Sequence, residues 1–386
     1  MRIRDVEAFW LHCPIPYERQ HVSDFGRIAS FDMTLVRVST EDGLVGYGEA
    51  KASVGSAGVC AGLVSCIQHE LRPLLIGQDA RQITRLWEEM YNGPRSHYAL
   101  AHGRGFPVLG RRGVTVAALG GIDMALWDVL GQSLGVPVVQ LLGGASRAHM
   151  PAYASGGWAG VDGIGAQLSG YAEQGFRAVK MRVGVMDGDV ATSVARVRAA
   201  RAALGSEIGI MADAHGTWSV PEAKRFCREV EDCALAWVEE PINADNRHGT
   251  AAVRATTSIP IACGESEFTR FDFRDLIEVG AVDVLQPDLA ICGGISEGMR
   301  IAALAATHQL ALAPHIWGSA LSFAAGLHVA FASASATILE FSLGANPLLH
   351  ELGEEPIICQ NGLIAAPTRP GLGVTPRQAF IDQYRV

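Results

Sequence analysis

The chain has 386 residues, of which 49% are hydrophobic and only 18% charged, and its formal charge is −9. This excludes a disordered chain, which lacks apolar surface to bury. With no Lys/Arg run it also excludes the basic stripe that nucleic acid or an anionic membrane requires. An anionic small molecule must then be held locally, by a metal ion or a few fixed cations. The length suggests two domains, or one barrel with an addition. The 8 Cys are scattered without a CxxC pair, so buried reduced thiols are expected. Met1-Arg2-Ile3-Arg4-Asp5-Val6-Glu7 has no apolar run of the signal-peptide kind, and a cytoplasmic location is expected.

In chain order, the first 50 residues alternate as strands do. Asp5–Leu11, Met33–Val38 and Leu44–Glu49, the last after the turn signal Glu41-Asp42-Gly43, predict an antiparallel meander. Between the first two lies a polar loop, Pro14 to Ser30, carrying Tyr17, Arg19 and His21 and long enough to be a lid. From Gly62 to Gly135 the apolar spacing becomes helical. Beyond about Pro151, short apolar strands alternate with Ala/Arg/Glu-rich helices. The strand ends are Ser155, Lys180-Met181-Arg182, Asp213, Glu239, Glu265, Asp288, His315 and Glu340, at a period near 25 residues. That is the spacing of an eight-stranded α/β barrel. Leu321 to Phe341, the longest apolar stretch, contains His328 and Glu340 and reads as a buried helix feeding a strand, with no membrane span.

Catalytic groups of such barrels stand at the C-terminal ends of the strands. Asp213, Glu239 and Glu265 each end an apolar run, so three consecutive strands aim a carboxylate at one point. Three such charges resist joint ionisation unless a cation lies among them, and hard oxygen ligands select Mg²⁺, with Mn²⁺ as the alternative. A single carboxylate there would more commonly cap the next helix, but three at matched spacing argue otherwise. Asp288 and His315 end adjacent strands, where a carboxylate can orient an imidazole and raise its basicity.

The runs Ile122-Asp123-Met124-Ala125-Leu126-Trp127-Asp128, Leu141-Leu142-Gly143-Gly144, Trp237-Val238-Glu239-Glu240-Pro241, Gly264-Glu265 and Pro370-Gly371-Leu372-Gly373 resemble the markers of the enolase superfamily, in its mandelate racemase-like branch. The resemblance implies an α/β fold, a modified TIM barrel (β/α)7β covering 136–345 under an N-terminal α+β capping domain covering 1–135, to which 346–386 returns. It implies Mg²⁺ on Asp213, Glu239 and Glu265, a His315–Asp288 dyad as base, and proton abstraction beside a substrate carboxylate. It also suggests a symmetric homo-oligomer.

Two positions depart from that pattern. Where the branch usually carries Lys-x-Lys, this chain has Lys180-Met181-Arg182; Arg182 is never neutral and is a poor base, so both side chains are expected to bind the substrate carboxylate or the developing enediolate. Where the branch often has Asp-x-Asn, the chain reads Asp213-Ala214-His215, and strand alternation would face His215 to the same side as Asp213. His215 is either the acid for a leaving hydroxyl or a hydrogen-bonding replacement for Asn. Glu340, at the eighth strand, is expected to hydrogen-bond the substrate carboxylate. Tyr17, Arg19, His21, Lys51 and Trp317 are expected to bind substrate from the loops. The combined expectation is a Mg²⁺-dependent dehydratase turning an aldonic or aldaric acid into a 2-keto-3-deoxy acid. The alternative is a racemase, epimerase or cycloisomerase using Lys180 as second base.

Overall fold

The protein is described here from a computed structural model covering residues 1–24, 26–52, 59–93, 101–103 and 110–386. Strand β1 (Ile3–Pro14) pairs antiparallel with β4 (Ser30–Thr40), which pairs with β5 (Val45–Ala50), giving the expected meander in the order β1-β4-β5. The polar stretch from Pro14 to Ser30, read as a loop long enough to be a lid, carries a hairpin. In it β2 (His21–Ser23) pairs with β3 (Gly26–Ile28), the tight reversal being supplied by Gly26 at φ +95°. Helix Val114–Leu134 lies directly on β5: a Cβ at Gly48 would stand 2.0 Å from the Gly121 carbonyl oxygen, so only glycine permits this approach. That helix is long and apolar enough to cross a membrane, but 78% of its apolar window is buried within the protein.

Eight parallel strands follow: β6 (His149–Gly156), β7 (Ala178–Arg182), β8 (Gly209–Asp213), β9 (Trp237–Glu239), β10 (Ile261–Cys263), β11 (Val284–Leu285), β12 (Ala311–Leu312) and β13 (Leu339–Ser342). Each of the first seven leads into a helix, and β13 pairs back onto β6, so the wall curls into a modified TIM barrel. The join between β12 and β13 is thin. Among the described residues it rests on the Leu312–Ala336 bridge and the Leu312 N–H to Ser335 carbonyl bond of 2.9 Å. The helices are set by local chemistry: Ser219 and Glu222 form a reciprocal capping box, a device contributing about 1 kcal/mol.

Inward-facing Tyr153, Met211, Trp237, Ala262 and Val284 fill the lower barrel, so the site has a packed floor. A further strand, β14 (Leu363–Ala365), pairs antiparallel with the start of β6. The last residues reach β1, where the Val386 N–H donates to the Trp10 carbonyl at 2.9 Å. All eight cysteines are free thiols, seven of them buried.

Candidate active site

Asp213 closes β8, Glu239 closes β9, and Glu265 stands two residues past β10. Gly264, at φ +144°, makes the turn that delivers Glu265; a Cβ there would meet Phe273 at 2.7 Å. One carboxylate oxygen from each of the three lies within 4.8 Å of the others, and all three side chains are buried. Glu239 Oε2 accepts from Trp237 Nε1 (3.0 Å) and Gln286 Nε2 (2.8 Å). Glu265 Oε2 is buried without a hydrogen bond. Burial pushes the Glu265 carboxyl well above the usual range, and its neighbours Glu240, Asp213 and Glu239 push it further; Glu239 is raised for the same first reason. Burial works against Asp213 too, but His215 and Lys180 beside it hold its carboxyl below the usual range. An all-oxygen cage with a surplus of buried negative charge and an unsatisfied oxygen fits a hard divalent cation such as Mg²⁺.

His315 follows β12, and its Nδ1 lies 2.8 Å from Asp288 Oδ2. Asp288 also receives the Ala290 N–H at 2.9 Å and the Lys51 ammonium at 2.7 Å. Burial opposes the charge on Asp288, yet Lys51 and His315 hold its carboxyl down to about 2. A carboxylate on Nδ1 fixes the proton there and leaves Nε2 to face the cavity. That nitrogen is 3.4 Å from Glu265 Oε2. Lys51, expected to touch substrate, lines the cavity but has its ammonium committed to Asp288 and, at 2.8 Å, to the Trp317 carbonyl.

Lys180 reaches Glu239 at 2.6 Å, Glu340 at 3.1 Å and Asp213 at 3.3 Å. The second oxygen of Glu340 accepts the Ile316 N–H at 2.8 Å. Burial disfavours the Glu340 anion, but Lys180 and His315 hold the carboxyl below its ordinary value.

Arg182 lines the cavity but spends its guanidinium on carboxylates of the protein. Its Nη1 lies 3.0 Å from both oxygens of Asp24, in the hairpin turn, and its Nη2 lies 3.2 Å from Asp187. His215 is beyond the end of β8 with φ +47°, so strand alternation does not govern it. The turn nevertheless folds the ring back, placing Nε2 3.3 Å from Asp213 Oδ2 and Nδ1 2.9 Å from Asp24 Oδ2. Burial disfavours the imidazolium, but Asp213 and Asp24 raise its pKa to about 10.

These groups open into a cavity of about 300 Å³ between the barrel mouth and the capping domain. His21 and Trp317 line it. Tyr17 and Arg19 do not: Tyr17 is 74% exposed and carries Arg27 over its ring at 5.2 Å. The aromatic wall is built around Trp158, whose ring centroid is 4.4 Å from that of His21 and 6.0 Å from that of Trp317.

Residues 7–143 match the family model described as the mandelate racemase/muconate lactonizing enzyme N-terminal domain, and residues 164–380 match that of the enolase C-terminal domain-like family. The chain belongs to the mandelate racemase-like branch of the enolase superfamily. A D-galactonate dehydratase from Verminephrobacter eiseniae is 36% identical over 361 residues, which is 90% of this chain and 89% of that protein. A D-galactarolactone cycloisomerase from Agrobacterium fabrum is 34% identical over 91% of each chain. The structure of a racemase from Streptomyces coelicolor with bound magnesium covers 100% of both chains at 30% identity and a TM-score of 0.86.

In this mandelate racemase-like chain, the sequence pattern did not single out Gln286, which follows β11 and donates to Glu239. Two further residues of the site also escaped it. Trp158 lies in the loop just past β6, where a strand-end reading extended by two residues finds it. Asp24 lies in a polar hairpin with no local pattern to single it out, and its partners are 158 and 191 residues away.

Proposed function

We propose that this enolase-superfamily member is a Mg²⁺-dependent dehydratase of an aldonic or aldaric acid, releasing water from the carbons next to the carboxylate. One observation carries the reading. Two imidazoles, His315 after β12 and His215 after β8, each have Nδ1 on a buried carboxylate and Nε2 within 3.4 Å of a different cage carboxylate. Elimination needs such a pair, one base for the α-proton and one acid for the β-hydroxyl. Racemisation needs a base on each face instead, and Arg182, where the branch usually has its second lysine, cannot accept a proton. The dehydratase relatives at about 36% identity support the same reading.

Asp213, Glu239 and Glu265 would hold the ion, which when bound supplies positive charge against the substrate carboxylate and so acidifies the neighbouring C–H. His315 Nε2 takes the α-proton while Asp288, anchored by Lys51, steadies the resulting imidazolium. Lys180 and Glu340 flank the space where the substrate carboxylate gathers charge. The Cβ–O bond then breaks, and His215 gives the departing hydroxyl its proton, so that water leaves. The enol that remains loses its O–H proton as it gains one at Cβ, and so becomes the 2-keto-3-deoxy acid. Trp158, Trp317 and His21 wall the cavity on the side of the capping domain.

Turnover of a panel of aldonic and aldaric acids with Mg²⁺, followed with a carbonyl reagent, tests the reaction. A 2-keto acid from at least one of them is expected, and a product isomeric with its substrate would favour the racemase or cycloisomerase reading. His315→Asn should abolish both α-proton exchange in deuterated water and dehydration; exchange at the wild-type rate would sink the assignment of the base.

A further inference from the structure

The two departures of this sequence from the usual pattern of its branch meet at one residue. Asp24 stands at the tip of the β2–β3 hairpin, on the capping side, yet its carboxylate is fully buried against the barrel. Oδ1 accepts from Arg182 Nη1 at 3.0 Å and from the Met186 N–H at 2.9 Å; Oδ2 accepts from Arg182 Nη1 at 3.0 Å and lies 2.9 Å from His215 Nδ1. Arg182 in turn is braced by Asp187, which Arg196 also grips at 2.8 Å. A buried carboxylate is tolerated only when it is paired and hydrogen-bonded, and the permanent charge of Arg182 meets that need.

We propose that Asp24 is a positioning residue: it turns His215 so that Nε2 is held at the cavity beside Asp213, and it ties that orientation to the docking of the capping hairpin on the barrel. Arg182 then serves as the anchor of this tie, which is why an arginine suits a position where a base would be useless to elimination. The inference rests on the dehydratase reading for the role of His215, but its geometry does not. The cap contributes to both histidines: Lys51 secures Asp288 behind His315, and Asp24 secures His215 directly.

Asp24→Asn tests this, because the hairpin keeps its anchor while the ring loses its acceptor. Arg182 and the Met186 N–H, both donors, hold the amide oxygen in the place of Oδ1, so the amide NH₂ takes the place of Oδ2, giving up the second Arg182 contact and facing His215 Nδ1. The first readout is nitrogen NMR of histidine-labelled protein with Mg²⁺, with the His215 signals identified by their loss in His215→Asn. Nδ1 should carry a proton in the wild type and none in Asp24→Asn. The second readout is kinetic: kcat for dehydration should fall about tenfold or more, as for other groups that orient a catalytic imidazole, with KM and α-proton exchange little changed. Exchange and elimination falling together would mean that Asp24 merely holds the site together, and a retained Nδ1 proton would mean that it does not orient the ring; either result overturns the proposal. If the wild type itself exchanges the α-proton but eliminates water from no acid, the dehydratase reading fails, and the NMR readout alone then decides the role of Asp24.

Discussion

His328 provides a quantitative test of the packing away from the site. The ring belongs to helix Ala320–Ala332 and has none of its surface exposed. Its Nδ1 accepts the Val139 N–H at 2.9 Å, and Nε2 faces the Leu372 carbonyl at 3.3 Å. A backbone N–H can donate only to a bare ring nitrogen, so the neutral ring protonated on Nε2 is the form that fits. Burial accordingly pushes the pKa of this ring from 6.5 down to about 4. With the folded value below the unfolded one, the unfolded chain binds the extra proton, and stability is lost as pH falls from the unfolded value toward the folded one. The whole difference of about 2.5 units corresponds to about 3 kcal/mol, of which about 2 kcal/mol is lost by pH 5. His328→Gln supplies the reference, since its amide can accept from Val139 and donate to Leu372 without titrating. Urea unfolding of both proteins at pH 7.5 and pH 5 should show the wild type losing about 2 kcal/mol relative to the variant. Asp128, whose carboxyl burial raises to about 6, titrates in the same window but is common to both proteins and cancels. A wild-type-to-variant difference that is the same at both pH values would refute the account of a ring held neutral by its two partners.

Three further outcomes are expected. Mg²⁺ should stabilise the protein against unfolding by about 2.7 kcal/mol at a hundredfold excess over its Kd, and Glu265→Gln should shrink that gain by weakening the cage, as a thermal-shift titration would record. Lys51→Met should leave Asp288 buried without its cation, destabilising the fold by about 3–5 kcal/mol and lowering the rate of α-proton exchange; an unchanged melting temperature would contradict the ion pair. Gly48→Ala places a methyl group 2.0 Å from the Gly121 carbonyl oxygen, and denaturant melts should show a loss of about 1–3 kcal/mol or more as helix Val114–Leu134 is pushed off β5.

The barrel was legible because its physics is periodic. Each strand needs a short apolar run and each helix returns the chain, so the groups at the strand ends recur near every 25 residues, and Asp213, Glu239, Glu265, Asp288, His315 and Glu340 could be read off as one set. The meander was legible for the same reason at period two. What escaped lies where no period operates. The polar stretch from Pro14 to Ser30 gave no hint that it holds a hairpin, because its pairing is only three residues deep. His215 was assigned its direction by strand alternation, and a left-handed backbone turn brings it to Asp213 by another route. Arg182 and Lys51 were expected to face substrate, whereas their charges are consumed by Asp24, Asp187 and Asp288, partners fixed only by how the cap sits on the barrel.

The thin join between β12 and β13 has a consequence for how the protein can fail. Among the described residues the wall below the mouth closes through Leu312, bridged to Ala336 and bonded to Ser335, and above it the Ile316 N–H is taken up by the Glu340 carboxylate, a side chain standing in for a rung of the ladder. His315 is the residue immediately before that rung. Loss of that rung would loosen the wall at His315, while β8, β9 and β10 stay paired with one another and hold Asp213, Glu239 and Glu265 together. A protein weakened there would keep its three carboxylates together and let the His315 ring drift from them.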